Sequence, residues 1–197
     1  MPNVSNVKSK YFEPDGVDAD QVSASAAATT LAIADGGPYG NLTETITLTS
    51  SADNSGNTFT ITGTDGNGDA QTEDLSGPNA GAVSSVNKYL TITSIVSDGA
   101  IATDIQAGIL GTGDLTGQVF LGRTRIRGIT GTSKASAGNI TFTNTSITGT
   151  TLLTIPTTGA VDDIEPYIPD NGVLFDAGAY ITVPAASVTG VTVFYDG

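Results

Sequence analysis

The residue types that carry most enzymatic chemistry are missing from this chain, whose 197 residues include no His and no Cys. Their absence removes the commonest general base, the thiol nucleophile and most zinc-ligand sets. Carboxylates remain. A pair of them can hydrolyse a glycosidic bond, and Asp15, Asp18, Asp20, Glu73, Asp74, Asp162, Asp163 and Glu165 are the candidates by type and proximity. Such pairs work in grooves lined with aromatic rings, and this chain has no Trp and only 6% aromatic residues. The expectation is a protein that is not an enzyme and carries no cofactor.

Two clusters remain as binding candidates. Asp65, Asn67 and Asp69 place oxygen-bearing side chains at alternate positions, as calcium loops do. The Glu that closes an EF-hand is not at the required position, and no helices are expected on either side, so a hairpin turn is the favoured reading. The lesser alternative is a calcium-assisted carbohydrate-binding module. Arg123, Arg125 and Arg127 hold three of the seven basic residues within five positions, and strand periodicity puts all three on one face. They read equally as a docking stripe for an acidic partner, such as another copy of this chain, or as a solvent-facing row paired with neighbouring Asp and Glu.

The net charge of −13 comes from 20 acidic and 7 basic residues. Phosphate neutralisation needs clustered Lys and Arg, so no nucleic-acid partner is expected. No apolar run reaches the roughly 18 residues of a membrane span, and residues 1–8 lack the apolar core of a secretory signal, so no membrane partner is expected either. Without Cys there is no disulfide staple, and durability must come from packing or from assembly with other chains. Three Asn-x-Ser/Thr matches, at Asn41, Asn139 and Asn144, arise readily by chance in a chain rich in these residues.

The elements that must position these groups are strands. Thr, Val and Ile suit a pleated surface, while Gly, Asn and Asp supply the positive-φ positions of tight turns. Residues 1–28 are turn-rich and acidic, with little periodicity, and predict an extended N-terminal arm. Residues 23–34 are Ala-rich and allow a short helix, although Thr29, Thr30 and Ile33 are β-branched. From Glu44 the alternation is regular: Ile46 and Leu48, then a turn at residues 53–56, then Phe59 and Ile61, which together read as a β-hairpin. Residues 70–75 pair back on the Phe59 strand, and two more strands are expected over residues 88–96 and 100–109. A domain boundary is placed at residues 111–113. Beyond it, strands are expected over residues 119–129, 139–143, 150–155, 173–175, 180–183 and 191–195. The predicted fold is all-β, with two small antiparallel β-sandwich or jelly-roll-like domains, 29–113 and 114–197, preceded by the arm 1–28.

The C-terminal half carries GTTLLTI (149–155), IPDNGVLF (168–175), AYI (179–181) and VTVFYDG (191–197). In these runs it resembles a family of small structural proteins encoded by tailed bacteriophages. The first half is similar to a phage-protein segment through ITLTS (46–50), TFTITGTD (58–65) and GPNAG (77–81). The resemblance implies a virion component and brings no catalytic residue with it. Its implied partners are the major capsid protein or another virion protein, together with further copies of itself. The role it implies is a capsid decoration (cement) protein on the outer surface of the head, the alternatives being a tail, neck or fibre component.

Overall fold

The architecture was obtained as a computed structural model, and it describes residues 6–197. All regular elements among these residues are strands: β1 Val7–Phe12, β2 Asp18–Ala26, β3 Glu44–Asp53, β4 Thr58–Thr64, β5 Ala70–Ser76, β6 Asn79–Tyr89, β7 Thr91–Ser97, β8 Ile105–Ile109, β9 Asp114–Phe120, β10 Thr124–Ser133, β11 Ala137–Asn144, β12 Thr151–Thr158, β13 Asp163–Ile164, β14 Val173–Phe175, β15 Ala179–Pro184 and β16 Val188–Asp196. They divide into two compact units. The central unit comprises Asp15–Tyr39 and Thr43–Thr112; the terminal unit comprises the described residues up to Pro14, Gly40–Leu42 and Gly113–Gly197.

Each unit is a two-sheet antiparallel sandwich, as the alternation of apolar and polar residues predicts. In the central unit a four-stranded sheet, β2-β8-β3-β6, faces a three-stranded one, β5-β4-β7. Ile46 and Leu48 from the first sheet and Phe59, Ile61 and Ile95 from the second share one buried cluster. In the terminal unit a five-stranded sheet runs β1-β16-β10-β13 with β14 also on β10, and a four-stranded sheet runs β12-β11-β15-β9. Phe142 and Phe175 meet edge to face across that core at 6.4 Å between ring centroids.

The hairpin expected of β3 and β4 does not form. β3 pairs with β6 and β8, whereas β4 pairs with β5 and β7, so the chain crosses from one sheet to the other between them. The cause is Asn54, which is 2% exposed. Its backbone N–H donates to Pro78 O at 2.8 Å. Its side-chain amide donates to Ser50 Oγ at 2.9 Å and accepts from Ala102 N at 2.8 Å. A buried amide satisfied on both sides fixes a corner where a solvated Asp-Asn-Ser-Gly sequence would make a hairpin turn. The expected strand 119–129 is likewise two strands, β9 and β10, in different sheets, broken at Gly122 with φ of +93°. The strand expected over residues 88–96 divides in the same way into β6 and β7 around Leu90.

β1 and β2 are extended, as expected of an arm, but they are paired within the sandwiches; residues 1–5 of the expected arm lie outside the described residues. β1 pairs along its length with β16, and Phe12 is fully buried. The inward face of β1 is otherwise Lys8 and Lys10, which conceal the apolar pattern. The Lys10 ammonium lies 5.4 Å from the Phe12 ring centroid and donates to Gln118 O at 2.7 Å, the stem packing while the head finds a carbonyl. β2 pairs irregularly with β8 and takes up the start of the Ala-rich segment in which a helix was allowed; no helix occurs among the described residues. Gly108 makes that pairing possible, because a Cβ there would stand 2.0 Å from Asp18 O.

Candidate docking face

The side of the five-stranded sheet turned away from the core of the terminal unit carries two arginines and two aromatic rings, with a third arginine in the turn that leads into β10. Its composition follows from register. Val191, Val193 and Tyr195 of β16 are buried, so Thr192, Phe194 and Asp196 point outward. Asp196 is opposite Arg125 of β10 and Val7 of β1, and Thr192 is opposite Tyr11. Leu174 of β14 completes the row beside Arg125. The rings lie over glycines: a Cβ at Gly190 would stand 2.1 Å from the Tyr11 hydroxyl, and one at Gly128 would stand 3.5 Å from the Phe194 ring. Tyr11 is 47% exposed. Burial and the nearby Glu13 charge raise the pKa of its phenol above the ordinary tyrosine value.

The arginines are not the uniform stripe the sequence suggests. Arg123 sits in the turn after Gly122 and pairs with Asp176 at 3.5 Å. Arg127 lies at a β-bulge between Ile126 and Gly128 and pairs with Asp196 at 3.8 Å. Arg125 donates to Asn171 O at 3.0 Å. The Arg123 pair is largely open to solvent and the Arg127 pair partly so, which holds the net strength of each to about 1 kcal/mol and lets an incoming carboxylate compete for either arginine. Between them Arg123, Thr124, Arg125, Leu174 and Asp196 line a depression of about 180 Å³. Its floor is fixed, since Thr124 is buried and donates to the backbone carbonyl of Asp196. The sequence pointed to the arginines and missed Tyr11 and Phe194. The available signal was the Val7-x-Ser9-x-Tyr11 alternation, masked by the lysines between.

The other cluster is built as a turn. Asp65 Oδ1 accepts from the backbone N–H groups of Asn67 at 2.8 Å and Asp69 at 2.9 Å, and Oδ2 accepts from the Asn67 amide at 3.0 Å. A calcium ion would have to take the place of these three donors on the one carboxylate. The loop joins β4 to β5, with Gly68 at φ of +89°. Among the acids named as hydrolytic candidates, Glu73 receives the backbone N–H of Val86 at 2.7 Å and of Asn87 at 2.9 Å. Asp74 receives the Thr60 hydroxyl at 2.7 Å and Asp15 the Gln21 amide at 2.9 Å. Asp162, Asp163 and Glu165 line a depression of about 280 Å³ beside Ile155, Pro156 and Ser133 in the terminal unit.

One carboxyl escaped sequence reasoning altogether. Glu44 opens β3 and is fully buried. Its Oε2 accepts from Gly111 N at 3.1 Å, and its Oε1 has no partner. Burial pushes its pKa up to about 7, against the opposing pull of the Gly111 N–H and the Lys88 charge. A strand-opening Glu beside Thr carries no sequence mark of burial.

Comparison with known proteins gives no match to a family model, to a curated protein or to a solved structure.

Proposed function

We propose that this chain is a structural protein of a tailed-bacteriophage virion that decorates the outer surface of the head as an oligomer. The observation that supports the oligomer in this reading is the outward sheet face of the terminal unit, where Phe194 lies opposite Gly128 next to Arg127, Arg125 lies opposite Asp196, and Tyr11 stands further along the same face. Aromatic and arginine side chains are the residues enriched where proteins meet proteins. The virion context rests on the resemblance, whose C-terminal runs fall largely in β12, β14, β15 and β16. Two sandwiches whose polar turn residues are hydrogen-bonded within the fold suit a protein whose work is mechanical. The partner on the head is the major capsid protein, and no catalytic step is assigned.

Immunogold labelling of intact particles tests this reading. Label over the head, together with lower heat resistance in particles lacking the protein, is the expected result. Label confined to the tail or neck would replace the decoration role with a tail, neck or fibre one, and unlabelled particles would end the virion reading.

A further inference from the structure

Charge is divided unevenly between the two units. The central unit holds twelve acidic residues and one basic residue, Lys88, a net −11; the terminal unit holds eight acidic and six basic residues, a net −2. Two copies that meet through their central units bring −11 against −11, and like charges juxtaposed across an interface cost several kcal/mol. The attractive arrangement joins unlike surfaces, the cation-bearing face of one copy to the acid-rich unit of the next.

We propose that this chain associates head to tail, the arginine and tyrosine face of the terminal unit receiving carboxylates from the central unit of a second copy. Resting on the virion reading, the proposal names its oligomeric contact.

Four observations support that occupant. The depression between Arg123 and Arg125 holds two guanidinium-bearing residues beside a fixed floor, and a guanidinium fork takes a carboxylate through two parallel hydrogen bonds. The acid now paired with Arg123 is on an exposed bridge and the one paired with Arg127 on a partly exposed bridge, so exchanging them for a partner's acid costs little. Phe194 lies opposite Gly128 next to Arg127, Val7 lies across Asp196 from Arg125, and Tyr11 extends the same face further along, so apolar area that can exclude water accompanies the arginines. Finally, the central unit's exposed acids, among them Asp18, Asp20, Asp53, Asp74, Asp98 and Asp104, greatly outnumber its single cation. A contact between two different surfaces propagates, closing into a ring if the rotation allows and otherwise forming a filament.

Sedimentation velocity of the full chain over a salt series tests the proposal. The wild type is expected as an oligomer at about 50 mM salt and as a monomer at about 500 mM, where the screening length falls below the span of the contact. Arg125→Glu combined with Arg127→Glu is expected to weaken association by at least tenfold, and Tyr11→Ser by a smaller factor. Far-ultraviolet circular dichroism checks that each variant is folded, and the wild-type salt series decides the matter should a variant fail to fold. A wild type that is monomeric at low salt, or an oligomer indifferent to both salt and the arginine reversals, overturns the head-to-tail contact. A monomer that still decorates particles sinks this contact and leaves the virion reading standing. A salt-sensitive oligomer that labels no particle supports the contact and ends the virion reading.

Discussion

The central and terminal units solve the same packing problem with opposite use of charge. Both are two-sheet antiparallel sandwiches around a continuous apolar core. The central unit buries a carboxyl, Glu44, and a corner amide, Asn54, and carries nearly all of the chain's charge imbalance on its surface. The terminal unit keeps its net charge near balance and gathers arginine and aromatic side chains on one outward sheet face. The lesson is that net charge says little about architecture and a great deal about association.

The largest expected effect tests whether the two sandwiches are separate cooperative units. Phe59 and Phe142 are both fully buried, one in each core. Replacement of either with Ala is expected to cost about 3–5 kcal/mol through lost transfer energy and the cavity left behind. In scanning calorimetry Phe59→Ala lowers the central transition and Phe142→Ala the terminal one. If both variants displace a single shared transition, the comparison collapses into one folding unit.

Glu44→Gln comes next and probes the buried charge of the central unit. Its folded pKa of about 7 lies above the ordinary glutamate value of 4.5. Below about pH 4.5 the carboxyl is protonated in both folded and unfolded states, and the substitution changes little. As pH rises from there to about 7 the unfolded state ionises first, and wild-type stability falls. Above about pH 7.5 the Gln variant is expected to be more stable by on the order of 2–3 kcal/mol. Denaturant midpoints of both proteins between pH 4 and 8 check the divergence, and parallel curves would remove Glu44 as its source.

Asn54→Ala addresses the corner that sends the chain between sheets. It leaves the Ala102 N–H without its acceptor and is expected to cost about 1–3 kcal/mol. Urea unfolding measures it, and a loss below about 0.5 kcal/mol would show that the corner stands without its amide. The smallest effect is expected at Arg127→Ala, whose ion pair with Asp196 is exposed. Its cost to folding should stay within about 0.5 kcal/mol by the same measurement. A larger loss would make the arginine face a structural feature of the terminal unit.

Much of the fold was legible in the sequence. The alternation that marked Ile46, Leu48, Phe59 and Ile61 as inward-facing is realised in one buried cluster. The pairing of residues 70–75 back on the Phe59 strand is observed, with Phe59 opposite Leu75. The sequence misled where one buried polar group or one glycine redirected the chain, at Asn54 and Gly122, because a turn signal marks a change of direction without naming the sheet entered next. The candidate face was half legible: the arginines stand out by type, but Tyr11 and Phe194 join them only through the register of β1 and β10 on β16.

By itself the sequence determined the strand-rich class, the inward positions of most strands, the turn chemistry at Asp65–Asp69 and the acidic balance. All of these follow from local steric preference and a period of two. Tertiary structure alone decided which strands share a sheet, that β1 belongs with the C-terminal strand, and that Glu44 lies in an interior. Those depend on long-range pairing and on the surroundings of each side chain, which residue type and spacing do not encode.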